Sequence, residues 1–237
     1  VSFTYPQTGI KVFDSFNLKI DKGKTLGVVG KVGSGKTTLL DLICRVYDPN
    51  EGSISYDKND IKSFKINNLR ELFSYVPQNN FLFSDSIFKN IQFGNPNATE
   101  SEVEEAAKLS EIDSEIAKFE NGYQTILGER GVTLSGGQVQ RVSIARSFVK
   151  DSALYLFDDC FSSLDTDTEE RLIKNLKNNF KNKSVIIVSH RVSCVKHADK
   201  IIVLENGKII QEGTHKNLIK IDGYYKELYN KQNREIT

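Results

Sequence analysis

A glycine-rich turn followed by a lysine and two threonines is the stretch of this sequence whose residue types could most directly do chemistry. It reads GKVGSGKTTLL at residues 30–40 and comes after the apolar run TLGVV. Gly30, Gly35, Lys36 and Thr37 complete a phosphate-loop pattern. In such a loop backbone N–H groups and a helix N-terminus face phosphates, the lysine reaches the terminal phosphates, and the threonine binds Mg²⁺. The sequence therefore predicts a phosphate site that holds magnesium.

A phosphate loop of this kind predicts a second metal ligand at the end of an apolar strand. The run ALYLFDD, residues 153–159, supplies Asp158 at that place. Two aspartates after an apolar strand would by themselves more often be a solvated strand end or a helix cap. Beside a phosphate loop the metal interpretation is favoured, because carboxylate oxygens are the ligands that Mg²⁺ prefers.

A second glycine motif lies in TLSGGQVQRVSIARS, residues 133–147. Ser135, Gly136 and Gly137 come directly before a helical pattern whose apolar residues share one face. Such a helix start can face an anion, although alone it is usually only a helix entry. A chain with one nucleotide seldom needs two such sites, so the motif indicates a second use.

The elements that must position these residues are indicated by hydrophobic periodicity. The runs TLGVV, ALYLF and SVIIVS are typical of strands covered on both faces, and the polar stretch TDTEERLIKNLKNNF is typical of a helix. NLKI and GSISYD are predicted as further short strands, and Asn206-Gly207 between two apolar runs predicts a hairpin.

Two helical stretches are predicted around the motifs. After the phosphate loop, Leu39, Ile43, Val46 and Tyr47 recur at helical spacing. From about residue 81 to 150 the pattern turns helical. Within this stretch the spacing of Thr99 and Glu102 predicts a capping box at the start of a helix. The sequence thus predicts a helical lobe between two parts of an α/β core.

Composition limits the classes of partner. Lys and Arg total 32 against 31 acidic residues, so the net charge of +1 provides no field that steers the chain to nucleic acid or an anionic membrane. Basic patches of a nucleic-acid binder are also missing, because the charges are interspersed. The longest apolar runs fall far below the roughly 20 residues that a membrane-spanning helix needs.

Cysteine content and the start of the chain allow two further expectations. Cys44, Cys160 and Cys194 are odd in number and widely spaced, which predicts reduced thiols that act as small hydrophobic residues. The absence of Met and the opening VSFTYP predict that this is a segment of a longer polypeptide.

The motifs together resemble a known family. LSGGQ at residues 134–138 resembles the signature of ATP-binding cassette (ABC) transporters, and GKVGSGKT before it and LYLFDD after it follow the order of their nucleotide-binding domain. The resemblance implies an α/β fold, in which a P-loop NTPase (RecA-like) core carries an antiparallel β subdomain and an inserted α-helical subdomain. On this basis residues 1–80 and 151–237 form the ATP-binding core and residues 81–150 the helical subdomain.

The resemblance also implies roles for single residues. Tyr5 stacks on adenine, Gln78 senses Mg²⁺ and the membrane domain, Asp165 crosses a dimer interface, and His190 contacts the γ-phosphate. The implied nucleotide-binding residues are Tyr5, Gly30, Gly33, Ser34, Gly35, Lys36, Thr37, Thr38, Ser135, Gly136, Gly137, Gln138 and Asp165. The implied metal-site residues are Thr37, Gln78 and Asp158, and the implied catalytic residues are Asp159, His190 and Gln78.

The partners and location follow from the same resemblance. In that family two such domains pair head to tail, and each ATP lies between the phosphate loop of one domain and the signature of the other. LGERG at residues 127–131 resembles the loop before the signature in exporters, where Glu129 would face the membrane domain. The implied partners are a second nucleotide-binding domain and a transmembrane domain fused upstream, at the cytoplasmic face of the cell membrane.

One residue departs from the family pattern. Hydrolytically competent members carry Glu after the metal-binding Asp, whereas this sequence has Asp159. A general base must reach its proton within about 3 Å, and loss of one methylene withdraws the carboxylate by roughly 1.5 Å. Asp159 therefore predicts slow hydrolysis at this chain's own site and a heterodimer whose other site is competent. The alternative is that Asp159 acts as a working base in a homodimer.

Two other classes of function stay open at the level of sequence. A soluble cassette ATPase of the kind that acts in DNA repair or on ribosomes shares the phosphate loop and signature. Such proteins usually carry a coiled-coil insertion or a second cassette, and this sequence has no sustained heptads. A nucleotide-binding regulatory module without turnover is the third class, and Asp159 keeps it open.

Overall fold

A parallel sheet with helices on both faces organises the chain. The computed structural model describes residues 1–128 and 131–235. The strands are β1 (Phe3–Thr4), β2 (Lys11–Phe13), β3 (Thr25–Gly30), β4 (Ser55–Tyr56), β5 (Asn59–Asp60), β6 (Phe73–Val76), β7 (Leu154–Asp158), β8 (Ser184–Val188), β9 (Lys200–Glu205) and β10 (Lys208–Gly213). The helices are α1 (Lys36–Ile43), α2 (Ile66–Glu71), α3 (Ile87–Gln92), α4 (Glu100–Leu109), α5 (Asp113–Ile116), α6 (Gly136–Phe148), α7 (Thr166–Asn179), α8 (Val192–Val195), α9 (His215–Leu218) and α10 (Tyr224–Glu235).

The main sheet has six strands in the order β10-β9-β3-β8-β7-β6. All neighbouring pairs are parallel except β9 and β10, which form an antiparallel hairpin. Two small antiparallel pairs, β1 with β2 and β4 with β5, lie outside this sheet. Sheet, helices and antiparallel pairs match the predicted fold class, an α/β P-loop fold.

Alternate residues of the central strands face two different hydrophobic clusters, because successive side chains of a strand point to opposite faces. Val29, Phe157 and Ile187 face a cluster built with the helices of the inserted stretch and the C-terminal half. Val28 and Leu156 face the other cluster, which includes residues of α1 and of the β1–β2 pair. The sheet is therefore covered on both sides, as the continuous apolar runs predict.

Helices α3 to α6 all lie in the chain between β6 and β7, so the stretch predicted as helical is helical. Thr99 caps α4 and forms the predicted capping box with Glu102. The division into a core and a helical subdomain at residues 81 and 150 stays a prediction. Among the residues that the structure describes, no helix is long and apolar enough to span a bilayer.

The hairpin predicted at Asn206-Gly207 is confirmed. Lys208 pairs with Glu205 across the turn, and both turn residues have left-handed φ angles, 48° and 71°. These angles are the ones that a tight two-residue hairpin turn requires.

Two local predictions are wrong. NLKI, residues 17–20, forms no strand, because these residues follow a bend at Ser15 and make no ladder. The helix after the phosphate loop ends at Ile43 and does not reach Val46, since Arg45 has a left-handed φ of 51°. Val46 is consequently exposed.

The three cysteines are free thiols. Cys160 and Cys194 are buried, and Cys44 is half-buried. Burial raises the pKa of the Cys44 thiol to about 12. The chain therefore presents little reactive thiolate at neutral pH.

Candidate functional site

The carboxyl ends of four parallel strands bring most of the predicted site residues to one edge of the sheet. Gly30 ends β3, Asp158 ends β7, and Gln78 and His190 follow β6 and β8. Val188 is in register with Val28 on one side and Asp158 on the other. Ligands of open α/β sheets bind outside this edge, so the topology itself indicates a site there.

The phosphate loop takes its shape from its glycines. Gly35 precedes α1 with φ 102° and ψ 10°, and Gly33 has φ 78°, both in the left-handed region. A Cβ at Gly30 would lie 2.2 Å from the carbonyl oxygen of Leu204, so no side chain fits there. Val32 at the outer tip is 89% exposed. The loop is therefore a bare backbone turn that opens at a helix start.

Lys36 is buried and held across the loop. Its Nζ donates hydrogen bonds to the carbonyl oxygens of Gly30 and Lys31, both at 2.8 Å. Burial lowers the pKa of Lys36, while the carboxylates of Asp159 and Asp158 oppose that shift. A cation with only carbonyl partners in a buried place can exchange them for stronger acceptors, such as phosphate oxygens.

Ser34 is one of seven described residues with a buried side-chain polar atom that lacks a hydrogen-bond partner, and it is the one within the phosphate loop. The residue is 3% exposed, and its Oγ makes no hydrogen bond within the described part of the chain. Buried hydroxyls in folded proteins nearly always have a partner, because an unpaired one costs about 1–3 kcal/mol. The orphaned hydroxyl fits a loop whose remaining hydrogen-bond partner comes from a bound group.

Asp158 is the buried carboxylate of the site. It is 3% exposed, and Tyr75 Oη donates to its Oδ2 at 3.4 Å. Burial raises the pKa of Asp158, and hydrogen bonds from Thr37 and Tyr75 offset part of that rise. A hydroxyl at the first turn of α1 and a desolvated carboxylate thus lie together, which is a donor set that Mg²⁺ accepts.

Asp159 has an unusual backbone and a fixed carboxylate. Its φ is 47°, a left-handed value that is rare for residues other than glycine. Oδ1 accepts hydrogen bonds from the backbone N–H of His190 at 3.2 Å and from Ser189 Oγ at 3.4 Å. The side chain is therefore tied to the loop that carries His190.

Two other predicted residues, Gln78 and Tyr5, lie outside the phosphate loop itself. Gln78 is exposed just beyond β6. The hydroxyl of Tyr5 lies 2.8 Å from Thr38 Oγ1, and its ring packs edge-on against Phe3 and Tyr47. Tyr5 is thus attached to α1, the helix that begins with Lys36.

The second glycine motif is a closed polar arrangement. Ser135 and Gln138 form a capping box at the start of α6, in which Ser135 N–H donates to Gln138 Oε1 at 2.8 Å. Gln138 Nε2 donates to Glu115 at 2.8 Å, and Arg141 pairs with the same carboxylate at 2.6 Å. Burial raises the pKa of Glu115, but hydrogen bonds from Arg141 and Gln138 outweigh it and lower the pKa overall.

Helix α6 also contacts the turn that contains Asp165. Gln140 Oε1 accepts from Ser163 N–H at 3.0 Å, and a Cβ at Gly137 would lie 3.0 Å from the carbonyl oxygen of Ser163. Asp165 caps α7 by accepting from Thr168 N–H at 2.9 Å. Gly136 and Asp165 remain exposed, so both face away from the core.

The predicted residues therefore fall into two groups. Group one is the phosphate loop with Asp158, Asp159 and His190, and group two is residues 135–138 with Asp165. Over residues 1–128 and 131–235, no hydrogen bond or ion pair joins a member of one group to a member of the other. Glu129 lies outside the described residues.

Sequence reasoning missed the residues that support both groups. Tyr75 bonds to Asp158, Glu115 holds Gln138, Gln140 holds Ser163, and Gln232 of α10 bonds to the backbone on both sides of Arg191. Each partner is at least 23 residues away in the sequence, so no local pattern could have found them.

A family model described as ABC transporter matches residues 13–162, more than half of the chain. The match includes the phosphate loop, the second glycine motif and Asp158. The chain therefore belongs to the ABC transporter family, and its fold and motifs are those of the nucleotide-binding domain.

Relatives and a solved structure agree with this assignment. ABC transporter B family member 14 of Arabidopsis thaliana is 45% identical over 230 residues, 96% of this chain and 18% of the plant protein. The probable multidrug resistance ABC transporter ATP-binding/permease protein YheI of Bacillus subtilis is 40% identical over 232 residues, 98% of this chain and 40% of that protein. The structure of a bacterial Atm1-family ABC exporter with ATP bound is 38% identical, with a TM-score of 0.93 over 98% of this chain and 41% of that chain. This chain thus spans about a fifth to two fifths of the length of these proteins.

Proposed function

We propose that this chain binds ATP with Mg²⁺ and powers export across a membrane by ATP-driven pairing with a second nucleotide-binding domain. The observation that carries ATP binding is the phosphate loop itself. Buried Ser34 Oγ has no hydrogen-bond partner in the described residues, and Lys36 beside it has only carbonyl partners. Phosphate oxygens would accept hydrogen bonds from both groups, and the backbone N–H groups and the helix start of the loop would favour the same anion.

Thr37 and Asp158 would hold the metal, with Gln78 at its margin. Mg²⁺ bound there supplies positive charge that offsets the charge of the phosphates. The protein's own contribution is to keep a desolvated carboxylate next to a hydroxyl, which the raised pKa of Asp158 reflects. Tyr5, Gly33 and Thr38 would complete the nucleotide contacts.

Pairing of two domains is supported by the second group of residues. The start of α6 is capped from within by Gln138, while Ser135 and Gly136 are exposed. Its polar partners lie within the chain itself, so a rigid helix tip is available to another molecule's nucleotide. Asp165, exposed on the adjacent turn, would lie at the same interface.

Export is supported by the relatives, which are named as a multidrug resistance ATP-binding/permease protein and an Atm1-family exporter. A transmembrane domain in the same polypeptide is therefore proposed, with this domain at the cytoplasmic face. A soluble cassette ATPase shares the motifs, but the similarity to these two transport proteins favours the exporter.

The test of ATP binding compares two lysines. Lys36→Ala is expected to weaken Mg²⁺-dependent ATP affinity about 100-fold, because hydrogen bonds to charged groups contribute roughly 1.5–3 kcal/mol each. Exposed Lys181→Ala is the matched control and should bind ATP as the unaltered chain does. Titration calorimetry with and without Mg²⁺ measures both. Equal affinities for the two variants would contradict the proposal.

We further propose that hydrolysis at this chain's own site is slow and that its partner is a different chain. Asp159 is one methylene shorter than Glu, and its Oδ1 is engaged by the His190 N–H and Ser189. A misplacement of about 1 Å can cost about 100-fold in rate.

Single-turnover hydrolysis under conditions that enforce dimers tests this step. Asp159→Glu should raise the rate by about tenfold to 100-fold if reach is limiting. Asp151→Glu, at an exposed aspartate outside the site, is the matched control. An unchanged rate in Asp159→Glu would favour the alternative, a homodimer in which Asp159 is a working base.

A further inference from the structure

One side-chain amide near the C-terminus grips the backbone next to His190. Gln232 Nε2 donates a hydrogen bond to the His190 carbonyl oxygen at 2.7 Å. The Val192 N–H donates to Gln232 Oε1 at 2.8 Å. The amide N–H and the amide oxygen of Gln232 thus bond to the backbone on either side of Arg191. Together these two hydrogen bonds restrain the loop.

The helix that carries Gln232 is fixed independently. Tyr225 in the first turn of α10 is fully buried, and its hydroxyl lies 2.9 Å from His215 Nδ1. The ring of Tyr229 packs against the same histidine at 5.4 Å. Gln232 follows Tyr225 by seven residues, about two helical turns, so it lies on the same face. The amide is therefore delivered to the loop by an anchored helix.

The start of α10 also contacts the phosphate loop. Lys31 Nζ lies 5.9 Å from the centre of the Tyr224 ring and pairs with Glu205 at 2.9 Å. Tyr224 and Gln232 are eight residues apart, about 12 Å along the helix axis. One helix thus braces both loops that flank the proposed terminal-phosphate position.

We infer that Gln232 is a positioning residue that fixes the His190 loop and thereby sets the rate of ATP hydrolysis at this chain's own phosphate loop without setting ATP affinity. The inference rests on the proposed function, in which His190 contacts the γ-phosphate. Affinity comes from the phosphate loop and Asp158, none of which Gln232 contacts in the described residues. Other hydrogen bonds at this loop include the one from the His190 N–H to Asp159 and the one from Arg191 Nη1 to Glu169 at 2.7 Å.

The experiment uses the complete transporter proposed above and measures single-turnover hydrolysis of the ATP bound at this chain's own phosphate loop, together with ATP affinity and loop exposure. Gln232→Ala should lower kcat at this chain's own site about tenfold, within the range of up to 100-fold expected for a small misplacement. The Kd for Mg²⁺-ATP should stay within about twofold, since the phosphate loop is untouched. The amide of Val192 should exchange with solvent at least about tenfold faster, because its acceptor is gone.

A second variant and a control separate this role from a structural one. Gln232→Glu keeps the acceptor for Val192 but cannot donate to the His190 carbonyl when ionised, so kcat should also fall. Asn230→Ala, exposed on the same helix, should leave kcat, Kd and exchange unchanged. Full turnover in both Gln232 variants, or a rise in Kd that matches the loss of kcat, would overturn the inference.

Failure of the inference is distinguishable from failure of the proposed function. If His190→Ala abolishes hydrolysis at this chain's own site while Gln232→Ala does not slow it, only the positioning role is lost. If His190→Ala turns over normally, the role proposed for His190 is itself wrong. Loss of Lys36-dependent ATP binding is scored separately, because Gln232 takes no part in it.

Discussion

The phosphate loop and the start of α6 are both glycine-rich helix entries, yet their polar groups are treated in opposite ways. At the phosphate loop, Ser34 Oγ lacks a partner within the described residues, and burial raises the pKa of Asp158. At the start of α6, Ser135 and Gln138 satisfy each other, and Glu115 secures Gln138. The polar groups of the first region are destabilising until a ligand pairs with them, whereas those of the second region are already paired within the chain.

This difference separates two properties that the motifs alone do not separate. Unpaired buried groups destabilise the ligand-free chain, and ligand binding removes that penalty. Substitutions in such a region should therefore lower ATP affinity and raise the free energy of unfolding of the ligand-free chain. A region whose groups are already paired should lose stability when altered, without a change in nucleotide affinity. Four sets of substitutions test that division.

The largest effect is expected from the two glycines of the α6 start. A Cβ at Gly137 would lie 3.0 Å from the Ser163 carbonyl oxygen, whereas one at Gly136 has 3.7 Å of room to Ser163 Oγ. Gly137→Ala should therefore lower turnover of the dimer up to about 100-fold, because the turn with Asp165 is displaced. Gly136→Ala should lower it less.

Steady-state ATPase assays and ATP titrations measure the two glycine variants side by side. Neither variant should change the affinity of the chain's own phosphate loop for ATP. A parallel loss of affinity would show that the two regions are coupled within one chain.

The next effect is on stability, at the carboxylate that secures Gln138. Glu115→Gln removes an ion pair with Arg141 that is largely shielded, with side chains 30% and 11% exposed. The free energy of unfolding should fall by about 2 kcal/mol, below the 3–5 kcal/mol of a fully buried pair. Urea denaturation at pH 7 measures the change.

The pH dependence of the same variant provides its control. The pKa of Glu115 is lowered in the folded chain, so its contribution is present above the unfolded value of about 4.3. That contribution is lost as pH falls through the folded pKa. The difference between Glu115→Gln and the unaltered chain should shrink at acid pH, and a constant difference would exclude the ion pair as its cause.

The opposite sign is expected at the phosphate loop. The pKa of Asp158 is raised by burial, so its ionised form destabilises the free chain above the unfolded pKa of Asp, about 3.9. Asp158→Asn should raise the Tm of the free chain by about 2–4 °C per 1 kcal/mol gained. Calorimetry at pH 7 measures the gain, which should fade as pH drops.

ATP titration completes the comparison at Asp158. The same Asp158→Asn chain should lose the part of its ATP affinity that depends on Mg²⁺. A lower Tm together with unchanged Mg²⁺ dependence would remove the contrast between the two regions.

The smallest effect compares two capping boxes of the same type. Ser135→Ala and Thr99→Ala should each lower the free energy of unfolding by about 1 kcal/mol, the usual cost of a lost N-cap. Only Ser135→Ala should also lower turnover, because only its helix start belongs to the proposed interface. Equal turnover in the two variants would leave the α6 start with a structural role alone.

Local chemistry decided which features could be predicted from sequence. The phosphate loop, the capping box at Thr99 and the hairpin at Asn206-Gly207 each depend on residues within about ten positions, and the last two match the structure. The strand order and the contacts of Gln138 with Glu115 and of Gln232 with His190 depend on tertiary packing. NLKI alternates apolar and polar residues as a strand does, but no strand pairs with it. Periodicity alone therefore assigned it wrongly to a strand.

The shielded thiols make the phosphate loop easy to observe by spectroscopy. Cys160 and Cys194 are buried, and burial raises the pKa of the Cys44 thiol, so maleimide dyes should react poorly with the native cysteines. Val32, at 89% exposure, offers a place for a single introduced thiol, Val32→Cys. A fluorophore attached there would sit at the tip of the phosphate loop, and its emission would report on the pairing proposed above if a second domain closes over this loop.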